Sequence, residues 1–383
     1  MIILQKVPNM ISLKSKVYGI RILSRSRLTF SSVMVFLCVL FLNGCAGKSV
    51  TQDTGTVFFP PPPNTPRVQY LTSISTSRDL EARKKSSFSI LVIGELESER
   101  TKPIIKPYGI KVFGNTIYVC DTIATRVAVI DLEKRQFEYL KGDYGFGKLK
   151  KPISLALDSE QNLYVTDTVR REIVVYGPSG NFLQAFGKEY DMKPVDVAVD
   201  GDFLYVLDIK NHEVKILDRT TGRLIDSAGR GLGPEYSLSL PIGLALGPEG
   251  GLYVTNITSG KVVNLDRDGH LLGSFGKLGD GFGEFGRPKG IAVDSKNRIF
   301  VVDASHQNVQ MFNSQGQLLM FFGDPGLPVG SMNLPASVTV VDGMLNYFQK
   351  YVDPSFEVEE LIFVTNQFGN AKIAVYGLGN PKK

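Results

Sequence analysis

The chain has 383 residues, with 43 Lys+Arg, 38 Asp+Glu, three His, three Cys and no Trp. Hydrophobic residues at 43% and charged residues at 21% exclude wholesale disorder and supply a large core, either of two or three domains or of one repeat array. Six cations (Lys6, Lys14, Lys16, Arg21, Arg25, Arg27) fall in the first 44 positions, which hold no acid; the remaining 37 basic residues against 38 acidic ones lack the cationic footprint of a general nucleic-acid binder.

Positions 1–44 read as an export signal. Val33–Leu42 (VMVFLCVLFL) is an unbroken apolar run, short of the roughly 20 residues that span a bilayer and right for the apolar core of a signal peptide. Leu42-Asn43-Gly44-Cys45 follows and resembles the lipobox of bacterial lipoproteins, with Asn43 an unusual occupant. The resemblance implies cleavage before Cys45, a diacylglycerol on its sulfur and attachment to a membrane in the cell envelope. Ala46 is not the Asp that retains enterobacterial lipoproteins in the inner membrane, so the outer membrane is expected. An organelle transit peptide is the rival reading of an acid-free leader rich in Arg and Ser, and Met10 is a second possible start.

With Cys38 in the signal and Cys45 acylated, Cys120 stands alone, which leaves no intramolecular disulfide or Cys-paired metal site. Its place in Ile117-Tyr118-Val119-Cys120-Asp121 predicts a small buried strand side chain. Residues 45–66 carry Pro60–Pro63 and Pro66 and predict an extended tether of polyproline type.

From residue 67 one pattern repeats six times. Pro107, Pro152, Pro194, Pro241, Pro288 and Pro335 each open a short β-rich run, at spacings of 45, 42, 47, 47 and 47 residues. A second run follows each, ending at Asp121, Asp167, Asp208, Asn256, Asp303 or Asn366, and then a third; several units add a fourth that ends in Phe-Gly. Units of four strands and 42–47 residues are propeller blades. The sixth unit lacks a fourth strand, and Arg67–Ile74 alternates as a strand should, so the N-terminal segment is expected to close the ring there. The predicted fold is all-β: a six-bladed propeller over 67–378, its last blade completed by residues 67–74 and interrupted by an insertion at 341–360. Met344–Val352 has apolar residues at helical spacing before Asp353-Pro354, which predicts a short helix in that insertion.

These residues resemble the NHL-repeat propellers. The family's Pro-x-Gly-Ile-Ala-Val-Asp is matched by Pro288-Lys289-Gly290-Ile291-Ala292-Val293-Asp294, and its Tyr-Val-x-Asp…Asn-His by Tyr205–Asp208 with Asn211 and His212. The resemblance covers about residues 67–378, and the absence of Trp disfavours the WD40 type. The leader and the Phe-Pro-rich spacer also resemble propeller lipoproteins of bacterial envelopes.

The strand-end Asp and Asn residues repeat too regularly for a catalytic set and are expected to accept hydrogen bonds from turn N–H groups. Gly281–Gly286 fits a dinucleotide fingerprint but precedes a strand rather than a helix, and Asp266-Arg-Asp268-Gly269 lacks the Glu of a calcium loop, so both read as loops. The resemblance extends to a zinc-dependent amidating lyase whose ligand His residues follow the opening prolines. The corresponding positions here are Tyr108, Ile153, Val195, Ile242, Lys289 and Ala336, so no metal or cofactor is expected.

The remaining candidates lie on surfaces. Tyr108 and Lys289 should sit at the channel mouth, ringed by Arg126, Arg170, Arg171, Lys210, His212 and Lys261 from the turns after the second strands, facing a peptide or an acidic group. Tyr347, Phe348, Tyr351 and Phe356 in the insertion are candidates for partner contact or for a packed cap. The primary expectation is a non-enzymatic, lipid-anchored envelope propeller that binds a protein, peptide or ligand as an assembly module. The alternatives are a lyase or lactonase-like enzyme acting on a small molecule at the channel mouth, and the sensor part of a multi-chain system.

Overall fold

The computed structural model describes residues 56–81, 101–323, 325–327 and 329–382. The signal 1–44, Cys45 and the first part of the tether lie outside the described residues. Proline has no N–H to offer a ladder and is tolerated at the first residue of a strand; here it opens the inner strand of every blade. Before blade one come β1 (Phe58–Phe59) and β2 (Val68–Ile74). Blade one is β3 (Pro107–Phe113), β4 (Thr116–Asp121), β5 (Arg126–Asp131) and β6 (Gln136–Tyr139), and blade two is β7 (Pro152–Leu157), β8 (Leu163–Asp167), β9 (Glu172–Tyr176) and β10 (Phe182–Phe186). Blade three runs β11 (Pro194–Asp200), β12 (Phe203–Asp208), β13 (Glu213–Asp218), β14 (Leu224–Ala228), and blade four β15 (Pro241–Leu246), β16 (Leu252–Asn256), β17 (Lys261–Leu265), β18 (Leu271–Phe275). Blade five is β19 (Pro288–Val293), β20 (Ile299–Asp303), β21 (Asn308–Phe312) and β22 (Leu318–Phe322). All are antiparallel meanders.

Blade six has β23 (Pro335–Val341), β24 (Phe356–Asn366) and β25 (Ile373–Pro381), and its outer strand is β2. β2 runs antiparallel to β25, from Val68 opposite Leu378 to Ile74 opposite Ile373, so the ring closes as the repeat count requires. One feature differs from the sequence reading. Phe58–Phe59, expected in an extended tether, pairs with β2 as a fifth strand, with Phe59 buried against Tyr376 and Phe322. Two large apolar side chains ahead of the prolines gain more by burial than an extended spacer offers them.

The strand-end carboxylates hold the repeat together. Asp121 accepts the N–H groups of Ile123 and Ala124 in its own turn and of Ile105 and Lys106 just before the opening proline, at 2.5–3.2 Å. Asp167 binds Lys150, Lys151, Val169 and Arg170 in the same way, and Asp303 binds Gly286, Arg287, Ser305 and His306. A buried acceptor that pairs several otherwise orphaned donors explains the Asp of blades one, two, three and five without chemistry; Asn256 and Asn366 in blades four and six accept the N–H groups of Ser239 and Asn333.

The insertion forms α1 (Leu345–Phe348) and a 3-10 turn (Gln349–Tyr351), after which β24 is lengthened to 11 residues. Phe348 is fully buried on Phe363, with ring centres 5.7 Å apart, in the core shared by blades six and one. Phe356 is 1% exposed and meets Phe58. These two are interior residues and are removed from the candidate contact surface; Tyr347 and Tyr351 are half-buried at its edge. The Gln69 amide of β2, itself buried, donates to the Tyr351 carbonyl at 2.9 Å and accepts from Asp353 N–H at 3.1 Å, clasping the insertion to the closing strand.

Candidate active site at the channel mouth

Every opening proline is followed by a register shift, as between Pro107 and Ile110 and between Pro288 and Ile291. Such bulges turn a side chain out of the regular pleat, and here they adjoin the post-proline residue. Its backbone is fixed from the neighbouring blade. Thr365 Oγ donates to the Tyr108 carbonyl and Thr255 Oγ to the Lys289 carbonyl, both at 2.6 Å. The next position carries Gly109, Ser154, Asp196, Gly243, Gly290 and Ser337. A Cβ on Gly109 would lie 2.6 Å from Ser154 Cα, and one on Gly290 2.6 Å from Ser337 Cα, so neighbouring inner strands touch at this level.

Two of the predicted mouth residues do meet. Lys289 Nζ lies over the Tyr108 ring, 5.6 Å from its centre. Lys289 is 3% exposed, and among the described residues its ammonium has no hydrogen bond or ion pair. Burial, with Arg287 and Lys106 nearby, lowers its pKa from 10.5 to about 8. The Tyr108 phenol is pushed up by burial and by the Asp196 carboxylate, against which Arg287 works in the opposite direction.

Asp196 is 8% exposed; its oxygens accept from Val197 N–H at 2.9 Å and from Leu244 N–H of blade four at 2.8 Å. Burial raises its pKa, while the Lys111 charge, a bond from Ser154 and these N–H groups oppose the rise.

The ring of turn cations does not assemble. Arg126 stacks on Tyr139, 4.3 Å from its centre, and Arg170 binds Glu172 and the Phe146 and Lys148 carbonyls. Arg171 and Lys210 both bind Asp191, and Lys261 lies by Glu235 and Tyr236. Each long side chain reaches sideways to an acid or an aromatic ring rather than inward; His212 is exposed in its turn with φ at 57°. Two cations whose charge acts on Lys289, Arg287 and Lys106, precede the prolines, with the Lys106 ammonium over the Phe368 ring, 5.0 Å from its centre. Lys106 and Arg287 were not singled out from sequence, although Lys106-Pro107, Lys151-Pro152, Lys193-Pro194 and Arg287-Pro288 repeat visibly. The loop at 281–286 leads directly into β19, and Asp266, Asp268 and His270 cluster on the hairpin between β17 and β18, the one group of potential metal ligands that converges among the described residues.

The family model of the NHL repeat matches residues 285–312. The chain carries an NHL repeat. No curated protein matches the sequence significantly. Among solved structures, a gluconolactonase from Xanthomonas campestris is similar at 20% identity and TM-score 0.51, over 72% of this chain and 86% of that one. A streptogramin B lyase is similar at 14% and 0.50, over 73% and 85%, and a protein of unknown function from Bacteroides thetaiotaomicron at 17% and 0.53, over 73% and 71%. At these identities the likeness is one of fold. It nonetheless corrects the expectation that the chain is not an enzyme. That expectation rested on the missing post-proline His residues, and the fold that this chain shares with a lactonase and a lyase is one that supports catalysis.

Proposed function

We propose that the channel mouth binds a small acidic lactone and opens it, with the neutral Lys289 amine as general base. The observation that carries this reading is a buried, unpaired amine whose pKa of about 8 leaves an appreciable neutral fraction near neutral pH. Arg287 and Lys106 supply positive charge for a substrate carboxylate and for the oxyanion that forms when water adds to the lactone carbonyl. Lys289 takes the proton from that water as the new C–O bond forms, and returns it to the ring oxygen as the old one breaks. The Tyr108 phenol, kept protonated by burial, stays available as a hydrogen-bond donor to the substrate. The same base, facing a proton next to a carboxylate, would serve a lyase-type elimination.

The test is turnover by the purified protein of lactones that keep a free carboxylate, such as the monolactones of aldaric acids, with neutral glucono-lactone as the comparison. Hydrolysis should rise with pH to half its maximum near pH 8. Lys289→Met should lower kcat by about 10²-fold or more, and Arg287→Met should act mainly on KM. Equal turnover by wild type and Lys289→Met would overturn the reading. A place in the cell envelope, tethered to a membrane through Cys45, is part of the same proposal and rests on the leader sequence alone.

A further inference from the structure

The opposite end of the channel is a separate cavity. The fifth residue of each inner strand is Lys111, Ala156, Ala198, Ala245, Ala292 or Thr339, so five of six positions are small and the one long side chain is a cation. Together they leave a cavity of about 250 Å³, walled by Val112, Leu157, Val199, Leu246, Val293 and Val340. Lys111 is half-buried; its ammonium has no direct hydrogen bond or ion pair among the described residues, although its charge acts on the Asp196 carboxylate. No acid lines the cavity. Asp196 is not part of its lining, but its carboxylate acts on both Tyr108 and Lys111 and so lies between the two ends.

Inner strands are sheet edges, whose unpaired N–H groups face the channel. We propose that this far mouth binds a short aliphatic monocarboxylate, with its carboxylate on Lys111 Nζ and its carbon chain against the Val and Leu wall. One cation matches one carboxylate, and a volume below the roughly 300–1,000 Å³ of drug-sized pockets restricts the chain to a few carbons. The proposal does not depend on catalysis at the other mouth.

Calorimetric titration of the full chain with sodium hexanoate tests it. One saturable site is expected, with Lys111→Met weakening it at least about tenfold, the loss of one charge-assisted bond. Lys289→Met should leave the affinity within about twofold, since it lies beyond the Asp196 level. Ala245→Leu, which fills the cavity, should abolish binding. Hexanol and inorganic phosphate, each offering half of the guest's chemistry, should bind much more weakly. Absence of saturable binding, full affinity in Lys111→Met, loss of affinity in Lys289→Met, or binding of hexanol or phosphate equal to that of hexanoate would each overturn it. Because wild-type binding and the near-isosteric Lys111→Met decide the matter, misfolding of Ala245→Leu would not shelter it.

Discussion

The Lys289 ammonium stands 5.6 Å from the centre of the Tyr108 ring, which joins blade five to blade one at the channel mouth. A cation over an aromatic face is attracted to it, but this one has given up much of its water to sit there. That balance makes the residue a cost to folding at neutral pH.

The first prediction follows from the sign of the shift. With its pKa lowered from 10.5 to about 8, Lys289 holds fewer protons folded than unfolded between those two values. Stability therefore rises with pH across that window, and the full penalty applies below pH 8. Lys289→Met should raise the stability at pH 7 by up to about 3 kcal/mol, with a gain that shrinks towards pH 10.5. Melting curves of both proteins across this range measure the difference; a gain independent of pH would contradict the assignment.

Ring closure gives a second prediction. β2 buries Val68, Leu71 and Ile74 and covers the edge of β25. At about 1.5–3 kcal/mol for each fully buried aliphatic side chain, deleting residues 67–75 should cost several kcal/mol and broaden the unfolding transition. Urea denaturation of the two proteins checks this, and coincident curves would show that blade six is complete without it.

The insertion provides a third. Phe348 is fully buried while Tyr351 is half-buried. Phe348→Ala should lose about 3–5 kcal/mol and Tyr351→Ala much less, read as melting temperatures. Gln69→Ala should loosen the same clasp by removing both partners of the Tyr351 carbonyl and the Asp353 N–H.

A fourth concerns the leader. Metabolic labelling with a fatty acid should mark the wild type and leave Cys45→Ser unlabelled and released from membranes, since two acyl chains are what make an anchor stable. Label on Cys45→Ser would remove the lipoprotein reading.

The repeat itself determined most of the fold. Six prolines, six strand-end Asp or Asn residues and runs of alternating apolar residues specify blade count, strand order and closure, because each is a local requirement that recurs with every unit: a strand start without a donor, a buried acceptor for N–H groups ahead of the next strand, one buried face. That Tyr108 and Lys289 hold equivalent places after their opening prolines was legible for the same reason. What the sequence did not decide is where long side chains go. Arg171 and Lys210 could have pointed inward or sideways; Asp191, 20 residues beyond Arg171, took both. The depressed pKa of Lys289 and the buried Asp196 depend on which side chains of other blades surround them, and the cavity beside Lys111 is lined by four alanines from four different blades. Local hydrogen-bonding needs are written once per repeat, whereas burial and charge at the channel are sums over all six blades, and only the closed ring brings those residues into one place.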